Sequence, residues 1–254
     1  MPNWAFNTVK IYSDKKENLD NFFEKHFTKD KHEIGAFDFN TIIKMPEVLT
    51  NTLSGGRTYE NMLMYCEKNN IKLTEEQKNT LIKKNLVSTF FKTKRFEDYY
   101  NENNNNESLL TEGECAYKAF SETGYFSWYE WRLANWSTKW NACEAYCEGV
   151  KENPDSGNYI LEIFFDTAWS MPMHIYNKLR KMYPEFKFEI NVEYEDIYGD
   201  GIDTFVMEGG ELVRFIHKEV FDNDDDNDES DDDDEPEYKF VETDITEKVK
   251  KYFV

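Results

Sequence analysis

The chain has 254 residues, of which 51 are acidic and 30 basic, so its formal net charge is -21 at pH 7. A charge of this sign repels phosphate backbones and argues against direct binding to nucleic acid. No apolar run approaches the ~20 residues of a membrane span, and the N-terminus lacks the character of a secretory signal, so we expect no membrane association and a cytoplasmic location.

The N-terminal part of the chain predicts two strands and one helix. Alternating apolar residues in Asn3–Tyr12 indicate a half-buried strand. Apolar positions in Asp14–Phe27 recur with helical spacing and indicate an amphipathic helix. A second alternation, in Phe37–Ile43, predicts another strand that ends before Met45-Pro46.

Residues 47–124 differ from this pattern, because they are rich in Lys, Glu and Asn and have the periodicity of helices. We expect a helical insertion there. Within it, the polar run Asn101–Ser108 predicts a mobile loop. Thr111–Ser121 predicts a short helix after that loop.

Strand-forming segments return after the insertion. The nearly continuous apolar run Asn158–Phe165 predicts an interior strand covered on both faces. A helix is predicted over Pro172–Met182, and strict alternation over Phe186–Tyr194 predicts a strand with one solvated face. Glycine-rich turns divide and flank Ile202–His217, which predicts a hairpin that extends the sheet.

In this order the elements predict an α+β protein with a ferredoxin-like antiparallel sheet, made of two strand–helix–strand units with both helices on one face. The predicted core domain comprises residues 1–46 and 125–220, and the helical insertion 47–124 interrupts it. An acidic loop, disordered by self-repulsion, is expected at 221–237. The C-terminal segment 238–254 is expected to hold a short helix or strand.

Four groups of residues carry a resemblance to a known family. They are Met1–Trp4 with Asn7, Phe39–Asn40 with Met45–Glu47, Trp131–Arg132 with Asn135–Asn141, and Thr167–Ser170 with Pro172. Together they resemble the YubB ferredoxin-like family of phages, plasmids and integrated elements. The resemblance implies a fold and a mobile-element setting, and the family has no established catalytic residues to transfer. Ser137 stands where the family usually has glycine, so a left-handed backbone at this position would be strained.

Tryptophans and cations cluster in Trp128–Trp140, and two interpretations remain open. The rings and cations can form a platform on which a nucleotide stacks, or the rings can simply fill the core against the sheet. The candidate residues for binding a ligand or partner are Trp131, Arg132, Trp136, Lys139, Trp140 and Trp169.

The acidic run near the C-terminus also has two interpretations. It can mimic phosphates and occupy a basic groove of a partner, or it can be a solvated loop. Its candidate partner-binding residues are Asp222, Asp224, Asp225, Asp226, Asp228, Glu229, Asp231, Asp232, Asp233, Asp234 and Glu235. The run lacks the glycine and the final glutamate of a calcium loop, so no calcium site is expected.

No pattern in the sequence predicts a metal, a cofactor or a catalytic centre. Cys143 and Cys147 would share one face of a helix, but no second pair of ligands accompanies them. The four histidines are scattered without the spacing of a ligand set or of a base beside a nucleophile.

These observations favour a non-enzymatic binding protein, encoded by a mobile element, that inhibits a host defence factor through its acidic surface. An anti-CRISPR protein acting on a nucleic-acid-guided nuclease is one example. The expected partner is a basic host protein, such as a nuclease or a nucleoprotein complex. The alternative is a nucleotide or small-molecule binding protein or enzyme with a Trp/Arg/Lys-lined cleft. RNA binding on the sheet is a third hypothesis, which the charge disfavours.

Overall fold

The computed structural model describes residues 3–29, 35–54, 57–84, 94–154, 156–196, 201–221 and 239–253. The chain divides into two compact units. Met1–Lys44 and Asn135–Val254 form the first unit, and Met45–Ala134 forms the second.

The strands are β1 (Trp4–Ser13), β2 (Phe27–Lys29), β3 (Gly35–Phe37), β4 (Cys143–Glu152), β5 (Tyr159–Ala168), β6 (Lys187–Tyr194), β7 (Ile202–Glu208), β8 (Glu211–Phe221) and β9 (Lys239–Asp244). The helices are α1 (Lys16–His26), α2 (Thr58–Lys68), α3 (Glu75–Lys83), α4 (Lys94–Asn103), α5 (Glu107–Thr123), α6 (Trp128–Trp136), α7 (Met173–Met182) and α8 (Thr246–Val249).

The first unit is built on an antiparallel sheet of seven strands in the order β4-β5-β1-β6-β7-β8-β9. In β1, Ala5 lies opposite Thr167 of β5 on one side and opposite Tyr194 of β6 on the other. The N-terminal strand and the strands after residue 158 therefore belong to one layer. The predicted α+β class with an antiparallel sheet is confirmed.

One face of the sheet is covered by α1 and α7. Alternate residues of β1 are buried, including Val9 and Ile11. Phe22 of α1 and Ile175 of α7 are almost fully buried on the same side, as their helical spacing predicts. Burial of each such side chain stabilises the fold by about 1.5–3 kcal/mol, so this covered face is the main core of the first unit.

A polar network inside this core joins the two central strands to α7. The buried Asn7 amide donates to the Thr167 hydroxyl at 3.0 Å and to the Ala5 carbonyl at 2.7 Å. Its oxygen accepts from the buried Tyr176 hydroxyl at 2.7 Å. Because each buried polar group has a partner, the network fixes the position of α7 at little desolvation cost.

His26, at the end of α1, is fully buried against the same core. Its Nδ1 lies 2.6 Å from the Thr41 hydroxyl and its Nε2 2.7 Å from the Tyr183 hydroxyl. The Thr41 hydroxyl donates to the Asp38 carbonyl at 2.6 Å, so Thr41 accepts from Nδ1 and Nε2 accepts from Tyr183. Burial, and next the nearby Lys25 ammonium, lower the pKa of His26 to about 4.

In the second unit, α2 and α5 pack around Met62, Leu63 and Phe120. Gly113 of α5 allows close approach, because a Cβ there would lie 2.1 Å from the Asn61 carbonyl oxygen. The predicted mobile loop over Asn101–Ser108 is wrong, since α4 continues to Asn103. The Asn106 side chain then caps α5 by accepting from the backbone N–H groups of Ser108 and Leu109, a role for which asparagine is well suited.

The predicted strand over Phe37–Ile43 is also wrong. Gly35–Phe37 is a short strand, but Phe39–Thr41 is a turn of 3-10 helix. The Asp38 carboxylate accepts from the backbone N–H of Asn40 at 2.9 Å and caps this turn. Such a local hydrogen bond competes with strand pairing.

The edge strand beside β5 is instead β4, which pairs with β5 through two irregular steps. Cys143 and Cys147 therefore lie on a strand, and the expectation that they share a helix face is wrong. The prediction that both faces of β5 are covered is wrong too, because Phe164 is exposed.

Candidate functional site

The structure divides the predicted Trp-rich segment between the two units. Trp131 and Arg132 belong to the second unit, whereas Trp136, Lys139 and Trp140 belong to the first. In the second unit, Trp131 is buried and the Arg132 guanidinium lies over the Trp128 ring at 4.9 Å.

Trp136 is a core residue of the first unit. Its side chain is fully buried, meets Phe39 edge to face and donates from Nε1 to the Ile43 carbonyl at 2.9 Å. A buried indole with its N–H satisfied contributes packing. Trp136 is therefore not accessible for stacking a ligand.

The candidates Lys139, Trp140 and Trp169 come together at one end of the sheet. The Lys139 ammonium lies 4.7 Å from the Trp140 ring centre and 5.0 Å from that of Trp169. The ring centre of Trp4, at the start of β1, lies 6.0 Å from that of Trp140. The lysine thus lies against two rings, and Trp169 is 47% exposed.

Two non-glycine residues have left-handed backbones here, one beside this cluster and one within it. Ser137 has φ 67° and Trp169 has φ 71°. The Ser170 hydroxyl donates to the Ser137 carbonyl at 2.5 Å, and the Ser137 hydroxyl lies 2.6 Å from His174 Nδ1. This left-handed conformation favours glycine and is strained in a residue with a Cβ such as Ser137. The sequence analysis did not identify His174 as a neighbour of this segment.

The acidic candidates, from Asp222 to Glu235, lie outside the described residues. The structure does describe the strands on either side of them. β8 and β9 pair antiparallel, with Phe221 opposite Lys239. The pairing continues inward, and Lys218 of β8 forms an ion pair with Glu242 of β9 at 2.7 Å. Residues 222–238, which we call the acidic segment, therefore connect two strand ends that are paired with each other. We call the paired strands β8 and β9 the β8–β9 stem.

The outer face of the sheet, opposite α1 and α7, carries three exposed aromatic rings that the sequence analysis missed. Phe6 of β1 is 42% exposed, Phe164 of β5 is 36% exposed and Tyr146 of β4 is 53% exposed. The Tyr146 and Phe164 ring centres are 6.2 Å apart. Exposed rings grouped on one surface are typical of interaction sites. We call these three residues the outer-face patch.

Carboxylates lie beside the outer-face patch. Asp166 is opposite Phe6 across the β1–β5 pair and opposite Cys143 across the β4–β5 pair. Burial raises the pKa of Asp166, and the neighbouring Glu144 carboxylate raises it further. Glu144 has φ 48° at the first irregular step of β4, a geometry that redirects side chains in β-bulges.

A cavity of about 690 Å³ opens where β1 ends and β6 begins. Its lining includes Tyr12, Asp14, Asn158, Glu189 and Glu208, and none of the candidate Trp, Arg and Lys residues. Its four carboxylates, which include Glu185, outnumber the Lys187 ammonium in the same lining, so an anionic ligand is disfavoured there.

Among the residues that the structure describes, no three His, Cys, Asp or Glu side chains are grouped as metal ligands. None of the described helices is both long enough and apolar enough to cross a lipid bilayer.

Comparison with known proteins adds one distant structural likeness. No family model matches the chain, and no curated protein matches it. The chain is similar to the crystal structure of a protein named api92 from Yersinia pseudotuberculosis, described with the family model DUF1281. The identity is 10% and the TM-score 0.36, over 85% of this chain and 97% of that chain.

Proposed function

We propose that this protein is a non-enzymatic binding protein that presents the acidic segment to a basic host partner and thereby inhibits it. In the mobile-element setting that the YubB resemblance implies, the partner is a defence factor such as a nucleic-acid-guided nuclease, as for an anti-CRISPR protein. The acidic segment takes the place of nucleic acid in a basic groove. The protein acts in the cytoplasm.

The observation that carries this proposal is the β8–β9 stem. Residues 222–238 contain twelve of the acidic residues and no Lys or Arg. Because the two strand ends are paired, with Phe221 opposite Lys239, these carboxylates are tied to the sheet at both ends. Tethering concentrates charge near one point of the surface, which favours electrostatic steering of a basic partner.

We also propose that the chain is kin to the YubB family and shares its ferredoxin-like fold. We infer a ferredoxin-like sheet in which β1, α1 and β4 form one strand–helix–strand unit and β5, α7 and β6 the other. The spatial order β4-β5-β1-β6 supports this assignment, with β7, β8 and β9 as an extension. The left-handed backbone of Ser137, at the position where the YubB family usually has glycine, supports the kinship.

A capture experiment tests the proposed function. The tagged full chain is used as bait in host lysate at low and moderate salt, beside a neutral-segment variant in which Asp and Glu of 222–238 are replaced by Asn and Gln. We expect a basic nuclease or nucleoprotein to be captured by the wild type at low salt and lost with the variant, since charge–charge association is screened by salt. Recovery of no basic partner at either salt concentration contradicts the proposal.

Binding of an anionic small molecule is a second candidate function, favoured by one observation. Lys139 and the exposed Trp169 ring lie together at the surface, and a ring beside a cation can hold a nucleotide. Arg132, which belongs to the second unit, is not part of this site. A thermal-shift screen with nucleotides tests it, because a ligand at 100 times its Kd adds about 2.7 kcal/mol to stability. An unchanged Tm with every nucleotide removes this candidate.

A further inference from the structure

We propose that the outer-face patch is a docking site for arginine side chains, with the guanidinium stacked on the Phe6 and Phe164 rings and paired with Asp166 and Glu144. This inference rests on the proposed function, because the arginines would belong to the same basic partner. It adds a surface on the opposite side of the sheet from its helices.

The rings provide the apolar part of the site. β1, β5 and β4 are neighbours in the sheet, and Phe164 lies opposite Thr8 on one side and Tyr146 on the other. Phe6 is two residues from Thr8 on the same face, so it is the diagonal neighbour of Phe164 and within reach of the same ligand group. Each ring exposes more than a third of its surface. A planar guanidinium stacks on such ring faces.

The carboxylates provide the charged part. Asp166 is half-buried, and its pKa is raised by burial and by Glu144. Across the described ranges, neither carboxylate has an ion-pair partner. Two neighbouring negative charges without a cation are unfavourable in a partly desolvated place, and a guanidinium would relieve this repulsion with charge-assisted hydrogen bonds.

The lysines on this face are already engaged with other carboxylates. Lys10 pairs with Glu162 at 3.4 Å, and Lys151 pairs with Glu148. Glu148, Lys151, Glu162 and Phe164 also border a hollow of about 90 Å³, which is the right scale for part of a side chain. A cation that pairs with the Asp166 and Glu144 carboxylates must therefore come from outside this part of the face.

The chemistry of the patch selects its occupant. Phosphate groups of RNA would meet Asp166 and Glu144, which repel them. A lysine ammonium would pair with the carboxylates, but it is more strongly hydrated than a guanidinium and lacks a planar face for stacking. An arginine side chain can both stack on the rings and pair with the carboxylates. Arginine is also enriched at the centres of protein interfaces.

The test uses amide-resolved NMR titration of the neutral-segment variant, so that the acidic segment contributes nothing. The probes are a blocked tri-arginine peptide and a blocked tri-lysine peptide. We expect tri-arginine to shift the amide signals of Phe6, Phe164 and Asp166 and to bind about fivefold more tightly than tri-lysine. Shifts elsewhere, or equal affinity for the two peptides, overturn the inference.

Matched substitutions locate the effect. D166N and F164A are each expected to weaken tri-arginine binding about fivefold or more. The controls are E219Q and V213A, which change exposed residues of β8, a strand separated from β1 by β6 and β7, and they are expected to leave affinity unchanged. Equal loss in D166N and E219Q overturns the inference. Because the acidic segment is neutralised throughout, failure here leaves the capture result intact, and failure of capture leaves this result intact.

Discussion

Lowering the pH from 7 to 5 is expected to destabilise the protein through His26. The ring is buried, with Nε2 accepting from Tyr183 and Nδ1 donating to Thr41. A proton added at Nε2 would remove that acceptor inside the core. The pKa of His26 is about 4 in the folded protein, against an ordinary value of 6.5. The unfolded chain therefore binds this proton first as the pH falls.

The sign and size follow from linkage. A depressed folded-state pKa contributes stability that is fully present above pH 6.5 and is lost as the pH falls toward about 4. One pKa unit corresponds to about 1.4 kcal/mol. Between pH 7 and pH 5 the free energy of unfolding is expected to fall by about 2 kcal/mol from this residue alone.

Urea unfolding followed by circular dichroism at pH 7 and pH 5 measures this effect in the wild type and in H26Q. The glutamine variant is expected to be less stable at pH 7 and to lose about 2 kcal/mol less than the wild type between the two pH values. H174Q, which removes an exposed histidine, serves as the control and should keep most of the wild-type drop. An identical drop in wild type and H26Q would refute the reasoning.

Three further predictions concern stability and are checked by the same unfolding assay. S137G should be more stable than S137A by about 1 kcal/mol, because both variants lose the hydroxyl but only glycine relieves the strain of the left-handed φ of 67°. The opposite order of stability would show that this backbone is unstrained. N7A should lower the free energy of unfolding by about 3 kcal/mol, because it leaves the buried Tyr176 hydroxyl without its acceptor. Y176F, which removes that hydroxyl, should lower it by less. Equal losses in the two variants would contradict this reasoning. G113A should lower the free energy of unfolding by about 3 kcal/mol, because its Cβ would lie 2.1 Å from the Asn61 carbonyl oxygen. An unchanged stability would mean that α2 and α5 separate easily.

The regular elements of the sheet could be predicted from sequence because their periodicity is unbroken. β1, β6 and α7 alternate or repeat over eight or more residues, and their burial follows the same pattern. β4 could not be recognised, because the left-handed residues Glu144 and Gly149 interrupt its alternation. The local hydrogen bonds of Asp38 overrode a strand-like pattern nearby.

The candidate site was predicted only where its residues are close in sequence. Lys139 and Trp140 form part of a real cluster, but proximity in the chain could not show that Trp136 points into the core. The outer-face patch joins three strands that are far apart in the sequence. Because each ring is isolated in its own segment, only the register of β1, β5 and β4 brings Phe6, Phe164 and Tyr146 together.

The most direct test of the central claim is a competition measurement with the purified partner from the capture experiment. The protein is bound to that partner, and a nucleic acid that the partner binds is titrated in at constant salt. If the acidic segment mimics phosphates, the protein and the nucleic acid cannot bind the partner at the same time. We therefore expect the protein to be released as the nucleic acid fills the basic groove. Formation of a stable ternary complex, with the protein and the nucleic acid bound together, would contradict the account.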